Sequence, residues 1–212
     1  MAHRVFDPQT LLPYWNRDED VDPNDVAIYS RYLKHYQMLT CVDGEDVHSG
    51  SIMVFIDGAC LDNGRPTAQA AYGVYFGDDS PHSISKAVNP HEAHTSQRAE
   101  LHSAIAALCQ IRRLIDFKNG NLTKIILVTD SAYISRSMSE YILKWRENGY
   151  ISSRGLDVVN QDLIRRLDNL IINVEDDDHR QVMFWKVPRG WNADADELAK
   201  DAAKTARGNE GC

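Results

Sequence analysis

The chain has 212 residues, 43% hydrophobic and 25% charged, with a formal net charge of −8. That length carries one domain with a sizeable core and leaves room for an extension. No stretch approaches the roughly 18 uninterrupted apolar residues of a membrane-spanning helix, so no membrane association is expected. The acidic balance excludes a protein that coats nucleic acid indiscriminately.

The charge is uneven. Residues 1–50 carry nine acidic and four basic side chains, and residues 51–212 carry 22 and 19. If several acids in the second part bind divalent metal, the remaining surface is near neutral, so local contact with nucleic acid stays open. The start, Met1-Ala2-His3-Arg4-Val5-Phe6-Asp7-Pro8, lacks the apolar core of a signal peptide. Cys41, Cys60, Cys109 and Cys212 form no CxxC pair. Reduced thiols in an intracellular protein are therefore expected, with nucleus, cytoplasm and mitochondrion not distinguished. Cys60 and Cys109 sit in apolar surroundings and read as packing residues.

In chain order, residues 1–50 read as an acidic extension of no assigned function. The run Asp18-Glu19-Asp20-Val21-Asp22-Pro23-Asn24-Asp25 reads as a solvated loop. Leu11, Leu12, Tyr14 and Trp15, then Tyr29, Tyr32, Leu33 and Tyr36, are apolar enough to pack on a neighbouring body, and residues 28–38 suggest a short helix. Residues 51–207 read as the main domain and 208–212 as a tail. Three strands, over 52–57, 70–76 and 83–88, joined by short loops, predict an antiparallel meander. A long helix follows, with Thr95 as N-cap and Gly120 as its end. A strongly apolar strand covers 124–129, helical pieces 132–147 and 158–173, an acidic loop 175–178, a fifth strand 182–187 and a closing helix 192–206. The pattern predicts an α/β fold with a five-stranded mixed sheet, three strands antiparallel and then two parallel, flanked by helices.

Four acids stand out by position. Asp57 follows the apolar run Ile52-Met53-Val54-Phe55-Ile56. Glu100 lies early in the long helix, Asp130 directly after Ile125-Ile126-Leu127-Val128, and Asp196 in the first turns of the last helix. Each has a plainer role: Asp57 opens a turn into Gly58, Glu100 faces a helix macrodipole, Asp130 is an N-cap, and Asp194, Asp196 and Glu197 are N-terminal helix charges. Together they map to one sheet edge, where α/β folds place their sites. Four carboxylates in one pocket repel unless cations neutralise them, and oxygen ligands suit Mg²⁺ or Mn²⁺ rather than zinc.

Four segments carry a family resemblance: Val54-Phe55-Ile56-Asp57-Gly58-Ala59-Cys60, Thr95-Ser96-Gln97-Arg98-Ala99-Glu100-Leu101, Val128-Thr129-Asp130-Ser131-Ala132-Tyr133, and Asn192-Ala193-Asp194-Ala195-Asp196-Glu197-Leu198-Ala199. In order and spacing they resemble the signature segments of type 1 ribonuclease H. The resemblance covers about residues 51–206. It implies a ribonuclease H-like fold, Asp57, Glu100, Asp130 and Asp196 as ligands of two Mg²⁺ ions (Mn²⁺ also suits), and hydrolysis of the RNA strand of an RNA–DNA hybrid. In that chemistry one ion generates hydroxide and the other steadies the leaving 3′ oxygen, giving 5′-phosphate and 3′-hydroxyl ends. It further implies minor-groove contacts by Asn63, Ser96 and Gln97 and phosphate anchoring by Thr95 and Asn160. Tyr141, Lys144, Trp145 and Arg146 resemble the basic protrusion that grips the DNA strand. The plainer readings are loop and cap polarity for the first group, and a core Trp145 with solvated cations for the last.

Two departures stand out. The cation often found two residues before Thr95 is Ala93 here, leaving His94 or a loop residue to substitute. The loop before the last Asp, Val187-Pro188-Arg189-Gly190-Trp191-Asn192, is short and lacks the family's mobile His. Arg189 is expected to fill part of that role by contact with a phosphate or the leaving group. A monomer is expected. Three alternatives stay open: a non-catalytic ribonuclease H-like module that binds nucleic acid or protein, another nuclease or transferase of the superfamily, and a domesticated retroelement domain.

Overall fold

The computed structural model describes residues 4–11, 20–39, 47–118, 122–175 and 180–209. Leu12, Tyr14, Trp15, Asp18, Glu19, Cys41, Gly120, residues 176–178 and Cys212 lie outside them. After a 3₁₀ turn, Pro8–Leu11, come a single helical turn α1 (Pro23–Val26) and strands β1 (Ala27–Ser30) and β2 (His35–Met38). The meander is β3 (Ser51–Leu61), β4 (Gln69–Tyr75) and β5 (Ile84–Ala87). Then follow α2 (Ser96–Lys118), β6 (Lys124–Thr129), α3 (Ala132–Arg136), a π-helical turn Ser137–Tyr141, α4 (Ile142–Glu147) and α5 (Gln161–Glu175). Strand β7 (Gln181–Lys186), a 3₁₀ turn Arg189–Asn192 and α6 (Ala193–Asn209) complete the chain.

The predicted five-stranded sheet is present, in the order β5-β4-β3-β6-β7, with β6 parallel to both its neighbours. Strand β6 is buried on both faces, so Ile125, Ile126, Leu127 and Val128 run without alternation. Two further strands come from the N-terminal segment. Residues 28–38 form an antiparallel hairpin, not the expected helix, and Tyr36 of β2 pairs with Met53. The tyrosines at 29, 32 and 36 suggest helical spacing, but the packing uses them as strand residues. Tyr29 meets Tyr36 across the hairpin at 5.3 Å between ring centroids, and Tyr36 meets Phe55 at 5.8 Å. Tyr32 is left 92% exposed at the turn.

The sheet separates two cores. Even-numbered residues of β3 (Ile52, Val54, Ile56) face α2 and α5 through Leu101, Leu108, Ile164 and Leu167. Odd-numbered Met53 and Phe55 face the opposite side with Ile126, Val128 and Trp185, where Phe6, Val21, Val26 and Met38 cover them. The N-terminal segment thus closes a face that would otherwise expose a large apolar patch. On the same side α6 lies on β3, β4 and β5. Its Ala202 and Ala203 pack on Ala71, small residues that bring helix and sheet close.

Candidate metal centre and nucleic-acid interface

The register of the sheet places two of the acids. Strand β3 continues to Leu61 beside β4, so Asp57 sits inside the strand rather than at its end. Its pairing with β6 stops at Phe55↔Val128, however, so beyond that point the side towards β6 is open. Two residues further along each strand, Asp57 and Asp130 are level with one another.

Two glycines bring in the other acids. A Cβ on Gly58 would lie 2.3 Å from the Glu100 backbone nitrogen, so only glycine lets α2 pass this close to β3. Thr95 caps α2 as predicted, its Oγ1 accepting from the Arg98 N–H at 3.2 Å. Gly73 is the direct cross-strand partner of Asp57, and a Cβ there would meet the Ala195 carbonyl oxygen at 2.2 Å. That contact seats the first turn of α6, which carries Asp196. Asn192, 2% exposed, fixes the turn before it by donating from Nδ2 to the Ile56 carbonyl at 3.0 Å.

Asp57, Glu100 and Asp130 each offer a carboxylate oxygen, and these atoms lie within 4.8 Å of one another. Asp57 is 4% exposed. Burial, then the neighbouring charge of Asp130, pushes its carboxyl up to about 7. Burial, then Asp57 and Asp130, pushes Glu100 up to about 9. Oε2 of Glu100 is buried without a hydrogen-bond partner. An uncompensated carboxylate in this setting is costly, and a divalent cation with oxygen ligands relieves it. The donor set therefore fits a hard metal ion.

Asp196 stands at the rim. Burial alone would raise its carboxyl, but hydrogen bonds from Lys200 and then Arg189 hold it below the usual range. Lys200 reaches Oδ2 at 2.5 Å and Arg189 reaches Oδ1 at 3.2 Å. Arg189 also comes within 3.9 Å of Asp130, so its guanidinium spans the two acids while remaining 73% exposed. Sequence reasoning missed Lys200, although its position four residues after Asp196 on a helix signals the pair. Asp194 is exposed.

Of the predicted nucleic-acid residues, Asn63 is hydrogen-bonded to Ser96 and Asn160 to Gln97, and Gln97, Tyr141 and Trp145 line one groove. Asn63 and the start of α2 hold each other: Asn63 donates to Ser96 Oγ and accepts from its N–H, both at 3.3 Å. Asn160, at φ 60°, donates to Gln97 Oε1 at 3.5 Å and to the Tyr133 hydroxyl at 3.3 Å. Arg98 ties this ridge together, donating to both Asp162 oxygens and to Glu92. His94 does not supply the missing cation. Its Nδ1 accepts from the Ala70 N–H at 2.9 Å, which leaves the Nε2 hydrogen for the Asn89 carbonyl at 3.2 Å.

Beside the ridge is a groove of about 570 Å³ whose lining includes Gln97, Tyr133, Arg136, Tyr141, Trp145 and Arg154. Tyr141 and Trp145 stand 5.6 Å apart between ring centroids. Trp145 combines two predicted roles, with one side packed on the core and the other in the groove. Lys144 is exposed. Arg146 differs: its guanidinium turns inward to form a two-pronged pair with Asp168. Arg136 was missed because it is an unremarkable cation in the sequence, and only the fold brings it to the groove.

The model of the RNase H family matches residues 49–204. The chain is 30% identical over 195 residues to Ribonuclease H1 of Rattus norvegicus, covering 90% of this chain and 64% of that protein. It is 31% identical over 166 residues to Ribonuclease H of Pseudomonas fluorescens, covering 76% of this chain and 97% of that protein. The chain thus spans under two thirds of the rat protein's length and 50% of the mouse one's. Its fold is similar to that of LC11-RNase H1 isolated from compost, with a TM-score of 0.53 at 21% identity over 74% of this chain and 98% of that one. LC11-RNase H1 has also been solved in complex with an RNA/DNA hybrid. With four motif segments in order, a matching family model over most of its length and relatives from bacteria to mammals, this chain belongs to the RNase H family, in its type 1 branch.

Proposed function

We propose that the chain is a divalent-metal-dependent endonuclease that hydrolyses the RNA strand of RNA–DNA hybrids and leaves 5′-phosphate and 3′-hydroxyl ends. The observation that carries this reading is the convergence of Asp57, Glu100 and Asp130 with a buried, partnerless Glu100 oxygen. These three acids would hold the metal, with Asp196 as the fourth ligand across the rim. Mg²⁺ is the ion we assign, with Mn²⁺ as a substitute, since both take oxygen ligands. When bound, such ions supply a polarised water and charge stabilisation at the leaving oxygen.

The chain's own residues do the rest. Asn63, Ser96 and Gln97 offer donors and acceptors suited to ribose 2′-hydroxyls in a minor groove. Thr95 and Asn160 would anchor a phosphate of the DNA strand. Tyr141 and Trp145 give faces for sugars or bases, and Lys144, Arg136 and Arg154 give charge for the backbone. Arg189 is exposed enough to leave Asp196 for a phosphate oxygen. Free thiols at Cys60 and Cys109 suit a reducing compartment, and we assign a monomer acting inside the cell.

The test is strand-resolved cleavage of RNA–DNA, RNA–RNA and DNA–DNA duplexes with Mg²⁺ or Mn²⁺. Cutting confined to the RNA of the hybrid is expected. Equal cutting of DNA–DNA, or no cutting with either metal, would overturn the assignment.

A further inference from the structure

Arg4 lies far outside the segment that the family model matches, yet it is 6% exposed. Its backbone is fixed to the outer edge of β7. The Phe184 N–H donates to the Arg4 carbonyl at 2.8 Å, and the Phe6 N–H to the Phe184 carbonyl at 3.0 Å. From there its side chain crosses to α5, donating to Asp168 at 3.2 Å and to Glu175 at 3.0 Å.

Asp168, 1% exposed, is where three parts of the chain meet. Its Oδ1 is shared by Arg4 and Arg146, and its Oδ2 accepts from Arg146 at 2.7 Å and from the Tyr150 hydroxyl at 3.2 Å. Arg146 follows Trp145 on α4, and Tyr150 opens the segment whose Ser152, Arg154 and Leu156 complete the groove wall. Two of the segments that line the groove therefore meet at one carboxylate. Arg4 ties that carboxylate to the sheet edge: one nitrogen of its guanidinium fork donates to Asp168 Oδ1 and the other to Glu175, so the fork spans two acids of α5. The groove segments already pack on the sheet through Ile142, Trp145 and Tyr150, and Arg4 adds a polar tie from the edge of β7 to the carboxylate that Arg146 and Tyr150 share.

We infer that Arg4 is a positioning residue for the substrate groove: the N-terminal segment sets where Tyr141, Trp145 and Arg154 stand relative to the carboxylates. This rests on the reading of the groove as part of a hybrid-binding surface.

The experiment compares the full chain with Arg4→Ala and Arg4→Lys by two readouts. Hydrogen exchange over residues 141–157 reports the groove whether or not any substrate is cut. Steady-state cleavage uses a long hybrid that spans the groove and a short one that covers only the carboxylates. Arg4→Ala is expected to speed exchange over 141–157. It should raise KM for the long hybrid about tenfold while keeping kcat within about twofold, and leave KM for the short hybrid unchanged. Arg4→Lys, which keeps the charge and loses the fork, should fall between and serves if the alanine variant does not fold. Unchanged exchange over 141–157, or an equal loss on both hybrids, would overturn the inference. Faster exchange in a protein whose parent form cuts no hybrid would leave the positioning intact and remove the hybrid reading.

Discussion

Two groups of buried carboxylates in this molecule have opposite fates. Asp57 and Glu100 lie among other acids, and their carboxyls are pushed up to about 7 and about 9 by burial and then by neighbouring negative charge. Asp168 is as deeply buried, yet hydrogen bonds from Arg146 and then Arg4 outweigh burial and hold its carboxyl below the usual range. The second group is complete within the chain, with two arginines facing Asp168 and Glu175. The first is completed only from outside. Burial alone does not separate Asp168 from Asp57 and Glu100; the presence or absence of an internal counter-charge does.

The contrast can be broken at either group. The largest effect is expected from Asp130→Asn, which removes charge from the open site. Metal-dependent cleavage of a labelled hybrid should fall by about 10³-fold or more, roughly 4 kcal/mol in the barrier, with the circular dichroism spectrum and Tm kept. Unchanged cleavage would remove Asp130 from the site. Asp168→Asn should do the reverse. Leaving two guanidiniums without their shared acid costs about 3–5 kcal/mol, read as a lower denaturation midpoint at constant m-value. Arg189→Ala is expected to lower kcat about tenfold, roughly 1.4 kcal/mol, without changing which strand is cut. A turnover equal to the parent's would mean that this loop has no part in the reaction.

Much of this was legible in the sequence. The five-stranded core, the long helix and the Thr95 cap follow from apolar period and cap chemistry, which are local. The four acids were legible as a set because each stands at the end of a strand pairing or in the first turns of a helix. The glycines that seat them, Gly58 and Gly73, were not: close approach of a distant backbone leaves no trace in the residues beside them. The N-terminal segment was misread for a related reason. Tyrosines at 29, 32 and 36 fit a helix until Phe55 and Tyr75 supply the surface on which they pack as strands. Arg146 was read as a DNA contact because it stands among aromatics and cations. Its inward turn is decided by Asp168, 22 residues later.

The central claim is that the open cluster needs a cation, and thermal unfolding tests it most directly. Folded Asp57 and Glu100 carry pKa values of about 7 and about 9, above the roughly 4 of unfolded carboxyls. The metal-free folded state therefore holds more protons than the unfolded state between about pH 4 and 9, and its stability falls as pH rises through that window. Mn²⁺ or Mg²⁺ should raise Tm, more at pH 8 than at pH 6. Glu100→Gln, in metal-free protein at pH 8, should be more stable than the parent by on the order of 2 kcal/mol and respond less to metal. No rise in Tm with either ion at pH 8, or an equal rise in Glu100→Gln, would contradict the account.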